Sequence, residues 1–474
     1  MSQARHKHYD VIIVGAGPAG LFAAYYLARH SSLRILLVDK GALPHKRSCP
    51  VEKRERCLKC TPCNILSGFG GAGLFSDGKL NFIHKLGKTD LTQFLEEEEA
   101  KDLIQETESL FNEQGMDGPV YPRDQETAKA MRKEARKEGI ELLLIRQKHL
   151  GSDNLPAHIE GMLQKIEDYG VDVLARTPIL DLLVQEGEIR GVVTEESSLS
   201  ASRVILAPGR VGSEWLNSLA ERNSLQIHQR GIEVGVRIEV PNDIMQEITD
   251  IIYDPAYFVR TGKYDDQTRT FCTNFGGYVT QEKYADFVCV NGHAYQEKKS
   301  ENTNFALLSK VELTEPVTDN QSYGVSIGRL ATLIGGGRPI LQRLGDLRRG
   351  RRSTWNRVSK GFIQPTLEHV VCGDIAMALP ERLLTNLHEG LEKLNKVIPG
   401  VAKDETLLYA PEIKFFATQI DTDHRLQTSI KGLYVAGDGA GVAGNIVSAS
   451  ATGLIPAKDI IEDFASCGKT GRDT

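Results

Sequence analysis

The chain has 474 residues, 41% of them hydrophobic and 25% charged, with a formal net charge of −6. That length exceeds one simple core and points to about two or three domains, while the net negative charge disfavours general nucleic-acid binding. No apolar run is long enough for a membrane span and the polar N-terminus has no signal-like core, so a cytoplasmic globular protein is expected.

The first ordered stretch, Tyr9 to Gly20, reads YDVIIVGAGPAG and opens into LFAAYYLAR. An apolar strand, a turn with Gly15, Gly17 and Gly20, and an alanine-rich helix are what a dinucleotide pyrophosphate requires. Gly15 allows the tight turn, Gly17 admits the phosphates to the backbone, and Gly20 lets helix and strand approach. Ala16, Pro18 and Ala19 complete the turn, whose helix N-terminus offers unpaired N–H groups to the diphosphate. A second apolar strand, LRILLVD, ends in Asp39, nineteen residues after Gly20. An acid there, followed by Lys40, suits the ribose hydroxyls.

Next comes a cysteine run, Cys49-x7-Cys57-x2-Cys60-x2-Cys63, holding four of the chain's eight cysteines. Closely spaced thiolates on a loop are the ligand pattern of iron–sulfur clusters, so a [4Fe–4S] cluster is the first expectation. Zinc, thiol–disulfide redox and inert thiols are the alternatives. Flanking Lys53, Arg54, Arg56 and Lys59 suit thiolates, and equally a solvated face.

The segment Gly68 to Lys79 has five glycines in its first eleven residues, implying positive φ and a backbone pressed on something flat or anionic. Its candidate contacts are Gly70, Gly71, Ala72, Gly73, Phe75, Ser76, Asp77, Gly78 and Lys79. From 88 to 150 the apolar residues recur at helical spacing beside long charged faces, which predicts a helical insertion covering the ligand crevice.

After residue 150 the α/β pattern returns: a helix from Leu155, the strand VDVLART, a hairpin from Ile179 turning at Glu186-Gly187, and a strand closing on Ala207, Pro208 and Gly209. Residues 231–240 alternate apolar and polar, predicting a half-buried strand in a second sheet. Within this part, Gly335-Gly336-Gly337 lacks the strand and acid of a second dinucleotide site. Arg338 to Lys360 carries eight basic residues against the single acid Asp346. It reads as a solvated loop, or as a dock for an acidic electron donor, a phosphorylated substrate or RNA. Pro380 opens an amphipathic helix with Leu383, Leu387, Leu391 and Leu394 on one face.

Near the end, GLYVAGDGAGVAGNIVSASATG carries a strand into Gly437-Asp438 and a small-residue helix. In a flavin site Asp438 accepts a ribityl hydroxyl, and the helix start at Gly444, Asn445 and Ile446 faces the flavin N1 and O2 edge.

These first and last stretches resemble the FAD-binding signatures of the flavoprotein superfamily that includes glutathione reductase, para-hydroxybenzoate hydroxylase and succinate dehydrogenase. More narrowly, GFGGAGLFSDGKL, FIQPTLEHVVCGDIAMALPERL and LYAPEIKFF are similar to a family of uncharacterised FAD-dependent dehydrogenases. The resemblance implies FAD held by Gly15, Gly17, Gly20, Asp39, the Gly70 to Lys79 loop, Gly437 and Asp438. It supplies no substrate. Lys414 stands after Glu412 where family members have an arginine.

The expected architecture is therefore α/β: a Rossmann-like FAD domain with a parallel sheet, discontinuous in sequence (1–87, 151–230 and 405–474), a helical insertion (88–150) and a mixed α+β substrate domain (231–404). The expected activity is FAD-dependent oxidation or reduction of a small organic molecule, with electrons entering through Cys49, Cys57, Cys60 and Cys63. A cluster passes single electrons, whereas flavin accepts one or two. Tyr323, His369, His424 and Arg425 are the proton-delivery candidates, chosen because their segments are expected to border the flavin. An electron-transfer flavoprotein serving a protein partner, and a flavoprotein acting on RNA, are the rival readings.

Overall fold

The computed structural model describes residues 8–49, 58, 60–87, 89–151, 154–228, 231–284, 286–295, 298–313, 319–416, 418–442, 444–466 and 468. Two compact units emerge: unit 1, 1–118, 150–230 and 416–474, and unit 2, 119–149 and 231–415.

Unit 1 is built on a seven-stranded sheet. Its strands are β1 (His8–Val14), β2 (Ile35–Asp39), β3 (Asp172–Ala175), β4 (Ile179–Gln185), β5 (Glu188–Thr194), β6 (Ser198–Leu206) and β7 (Leu433–Val435). The order is β4-β5-β6-β1-β2-β3, with β7 also pairing β6. Around β1 and β2 all pairings are parallel, with Val11 opposite Ile35 and Arg203. Such strands are buried on both faces. Accordingly Val11 and Ile13 enter one apolar cluster, Ile12 and Val14 another.

Unit 1 helices are α1 (Pro18–His30), α2 (Glu97–Glu113), α3 (Leu155–Asp168), α4 (Ser213–Arg222) and α5 (Ile446–Ser466). α1, α2, α3 and α5 share the cluster of Val11 and Ile13, whereas α4 lies with Ile12 and Val14. The β4–β5 hairpin turns at Glu186 and Gly187, at φ 52° and 76°. Two successive positive φ values match the twist of paired strands, which is why that dipeptide was legible as a turn.

Unit 2 carries an eight-stranded sheet whose central strand, Ile232–Pro241, lies between Asn302–Val311 and Leu407–Phe415, antiparallel to both. Ile232, Val234, Val236, Ile238 and Val240 face a core with Leu383, Leu387, Leu391 and Leu394 of the helix Glu381–Leu394. The expected half-buried strand is corrected: residues 232–240 are buried on both faces. Charge pairing across the sheet lets the polar side go under. Glu233 meets Arg269 at 2.6 Å, Arg237 meets Glu412 at 2.7 Å, and Tyr409 donates to Glu239.

Residues 88–150 differ from a purely helical insertion. They divide at 118/119 between the units and add the strands Val120–Tyr121, Ile140–Leu143 and Arg146–His149 to two helices. Ile140–Leu143 becomes the edge of the large unit 2 sheet by pairing Ala256–Arg260. The helical spacing was real in α2 and in Gln125–Lys137, but two- and four-residue strands leave too short a period to register. Gly335 ends the helix Asn320–Ile334, and Gly336 and Gly337 follow with positive φ, so this cluster is a helix stop. Among the described residues no helix is long and apolar enough to cross a membrane.

Candidate functional site

The glycine turn after β1 forms as its sequence demands. Gly15 has φ 103°, and a Cβ there would sit 2.1 Å from the Ala207 carbonyl oxygen. A Cβ on Gly20 would lie 1.9 Å from the Gly15 oxygen, so only glycine lets the turn close. Gly17 caps α1 without a side-chain hydrogen bond, and the first turn holds no acid. The Ala19 and Gly20 N–H groups therefore have no side-chain cap, as an anion site requires.

The Gly68–Lys79 loop returns to this turn. The Gly70 N–H donates to the Ala16 carbonyl at 2.8 Å, and a Cβ on Gly71 would stand 3.0 Å from the Gly17 Cα. Ala72, Gly73 and Phe75 lie in a short 3-10 turn, with Gly73 near the Ile446 side chain and Ser76 bonding the Gly73 carbonyl. Gly78 takes φ 69°, and the buried Lys79 pairs with Asp77 at 2.8 Å.

Asp39 sits at the end of β2, buried, with its carboxylate accepting from the Ala16 N–H at 2.8 Å and the Gly41 N–H at 2.7 Å. Each oxygen keeps a further lone pair, so a ribose hydroxyl can still bind. Lys40 follows it half-buried, and buried Ile179 opens β4.

The C-terminal stretch completes the cradle. Gly437, at φ 67°, approaches the Ala19 side chain, and its N–H donates to the Thr452 hydroxyl at 2.8 Å. Asp438 lies near Gly209, beyond Ala207 and Pro208. Burial pushes its carboxyl up from the ordinary range, while the Arg210 guanidinium and backbone N–H pull it down. Asn445 starts α5, accepting from the Val447 N–H and donating to the Asn81 carbonyl, and Gly444 beside it is exposed. The structure thus brings together, within unit 1, the glycine turn, the Gly70–Gly73 loop, Pro208–Gly209 and Gly437–Ile446. Bare backbone, an uncapped helix start and a buried acid at the strand end fit FAD.

Asp438 gives a testable sign. Its folded-state pKa is raised, so the native protein holds a proton that the unfolded chain has released; stability falls as pH climbs through that window and stays lower above it. Asp438→Asn should therefore raise the Tm of the flavin-free protein at neutral pH, with the gain vanishing below the ordinary carboxylate range. The same change should weaken FAD binding roughly tenfold, because a charge-assisted acceptor is lost. Thermal melts across pH, with and without FAD, check both.

Sequence reasoning passed over Arg47. Its buried guanidinium donates to the carbonyls of Asn64 at 2.9 Å, Ile65 at 2.8 Å and Phe69 at 2.6 Å, and lies over the Phe75 ring. Burial pulls its pKa down to about 10, against the opposing charges of Asp39 and Cys63. It fixes the loop that follows the cysteine run. Cys57 lies outside the described residues; Cys60 is exposed, and Cys49 and Cys63 are half-buried. Among the described residues no three His, Cys, Asp or Glu side chains are grouped to hold a metal.

The four proton-delivery candidates divide between the two units. His424 and Arg425 are exposed in unit 1, where Arg425 pairs with Asp459 of α5, a structural clamp. In unit 2, Tyr323 is half-buried on the helix Asn320–Ile334 and His369 is exposed in a loop. Lys414, noted as a departure, pairs with Glu412 at 3.0 Å. The basic stretch is largely paired within unit 2: Arg351 and Arg357 with Asp346, Arg348 and Arg349 with Asp404, and Arg343 with Glu405. Asp404 and Glu405 come from beyond the stretch, which a local charge count misses.

Three family models match the chain: FAD dependent oxidoreductase over residues 10–48, FAD binding domain over 98–231, and FAD-dependent protein, C-terminal domain-like, over 231–414. By class, the chain is an FAD-dependent oxidoreductase. An uncharacterized protein of Clostridium beijerinckii is 25% identical over 475 residues, 96% of this chain and 81% of the relative. Among solved structures, E. coli quinol fumarate reductase FrdA is 14% identical with TM-score 0.44, covering 98% of this chain and 72% of that one. L-proline dehydrogenase from P. horikoshii is 12% identical with TM-score 0.41, covering 98% of this chain and 95% of that one.

Proposed function

We propose that the chain dehydrogenates or reduces a small organic molecule, with FAD held in unit 1 and unit 2 serving as the substrate domain, within the flavoprotein superfamily of glutathione reductase and para-hydroxybenzoate hydroxylase. The observation that carries this reading is the meeting, in unit 1, of the Gly15–Gly20 turn with the Gly437–Ile446 stretch from the other end of the chain. Bound FAD supplies hydride acceptance and one- or two-electron transfer. The chain's own part is to seat the diphosphate at the start of α1, hold the ribose at Asp39 and order the ribityl at Asp438.

Purified protein is expected to be yellow and to release FAD on denaturation, and its flavin should bleach anaerobically and be reoxidised by members of a panel of enones and quinones. A colourless protein that takes up no added FAD overturns the reading.

A [4Fe–4S] cluster on Cys49, Cys57, Cys60 and Cys63 remains part of the proposal on the strength of the thiol spacing and the cationic neighbourhood. The three described thiols are not grouped as a metal site, so no electron step is assigned to them. Iron with an equal amount of acid-labile sulfide supports the cluster. Zinc without iron removes it.

A further inference from the structure

Unit 2 contains a cavity of about 290 Å³ among Tyr121, Arg123, His149, Tyr253, Phe275 and Lys299, with Asp250 on its wall. None of these residues enters the flavin reading. Local structure assembles the cavity with some precision. Val120–Tyr121 and Arg146–His149 form a short antiparallel ribbon that sets Tyr121 opposite Gln147. The buried Gln147 amide clasps the Asp254 backbone in both directions, at 3.0 and 3.2 Å, and the Arg123 N–H donates to the Ile251 carbonyl at 2.9 Å. These bonds fix the turn that follows the helix Asn242–Thr249 against the ribbon.

Tyr253 is thereby stacked on His149, with ring centroids 4.3 Å apart at 23°, and the Tyr121 ring stands 5.4 Å from Tyr253. All three rings belong to buried residues, so the floor is aromatic and rigid. On another wall, Gly276 has φ 61° and no side chain, and a Cβ there would lie 2.9 Å from the Lys299 Cδ. The bare backbone lets the lysine stem lie beside Phe275.

Charge narrows the ligand. Arg123 is exposed, sits over the Tyr121 ring at 4.9 Å and donates to its hydroxyl at 2.7 Å. Among the described residues no carboxylate pairs with it, which leaves its other N–H groups for a ligand. Asp250 on the wall sets a negative charge beside the site that Arg123 offers to an anion. The C-terminal end of the helix Asn242–Thr249 adds further negative potential on the Asp250 side. A single negative charge is favoured there and a dianion is not.

We propose that this unit 2 cavity binds a small aromatic monocarboxylate, its ring against Tyr121, Tyr253 and Phe275 and its carboxylate on Arg123. The volume suits a single-ring ligand, and a planar guanidinium matches a carboxylate in two-point contact. The site stands apart from the flavin reading and holds whether or not FAD is bound.

Calorimetric titration of the full chain with benzoate, with and without FAD, tests it against cyclohexanecarboxylate and inorganic phosphate. Benzoate should bind more tightly than either comparison anion. Arg123→Gln should weaken it at least tenfold with only a small fall in Tm, because the head is exposed and loses one bond to Tyr121. Should that variant fold poorly, Lys299→Gln, also altering an exposed head, should weaken benzoate less but measurably. No binding at millimolar benzoate, phosphate binding as tight as benzoate, or affinity indifferent to both substitutions overturns the proposal. Binding of FAD is read separately from flavin absorbance, so a failed cavity and a failed flavin site are told apart.

Discussion

Replacing Gly453 by alanine is expected to strip the protein of FAD and to cost more than about 3 kcal/mol of stability, a Tm drop of about 3 °C or more for a chain of this size. The reason lies in how α1 and α5 meet. A Cβ on Gly453 would sit 2.1 Å from the Ala19 carbonyl oxygen and 2.9 Å from its carbon. Both atoms belong to backbone in the first turn of α1, so no rotamer change relieves the clash and the helices must separate. Ala19 is also the residue whose side chain Gly437 approaches, so separation spoils the cradle at both ends. Gly161→Ala in α3 is the control: nothing lies within 4 Å of the added methyl. There the substitution should stabilise by about 0.5–1 kcal/mol, since alanine loses less freedom in a helix. Thermal melts and the flavin-to-protein absorbance ratio read both outcomes. Equal behaviour of the two variants would show that the α1–α5 approach does not hold the site together.

That contact illustrates which parts of the molecule the sequence discloses. The turn at Gly15–Gly20, the Glu186-Gly187 hairpin and the leucine face of Glu381–Leu394 are local: backbone φ, a two-residue loop and a helical period decide them within a few residues. The cradle was legible because each of its pieces carries its own glycine signature. Gly453 stood in a small-residue helix, yet its partner Ala19 is over four hundred residues away in the chain, and nothing local announces which glycine touches which carbonyl. Arg47 was invisible for a similar reason. A basic residue beside cysteines reads as solvated or as a thiolate neighbour, whereas its three acceptors are main-chain carbonyls that only the folded loop presents.

Charge misled the reading where partners were remote. Arg343, Arg348, Arg349, Arg351 and Arg357 look like one basic field in the sequence, and three of the five ion pairs described above reach acids outside the stretch. Alternation in 232–240 misled in the opposite direction. Period-two patterning with charges on one side ordinarily means a solvated face, but here each charge has a counter-charge or hydrogen-bond partner on another strand of the same sheet, and the face closes over.

Removal of one member of that buried face should be the most damaging change in unit 2. Arg237 is fully buried, bonds both oxygens of Glu412 at 2.7 and 2.8 Å, and donates to the Asn304 side chain at 2.8 Å. Burial acts to lower its basicity, and the Glu412 carboxylate more than offsets this, holding the guanidinium above its ordinary value. Burial likewise acts to raise Glu412, and Arg237 with Lys414 overcomes it, so that carboxyl is held low. Arg237→Met should cost about 3–5 kcal/mol, because the carboxylate left behind is buried with Lys414 as its remaining cation. The pH sign follows. In the wild type, Glu412 contributes stability above its unfolded value of about 4.3, lost as pH falls through its lower folded value. Without the guanidinium that carboxyl is expected to rise, so the variant gains relative stability on acidification and the gap to wild type narrows. Arg237→Met with Glu412→Leu removes both charges and should be more stable than Arg237→Met alone, since an apolar pair avoids the uncompensated ion. Urea unfolding of the three proteins at neutral and acid pH measures this coupling, and a double variant no better than the single one would show that the cost lies in lost packing around Arg237 instead of in the stranded carboxylate.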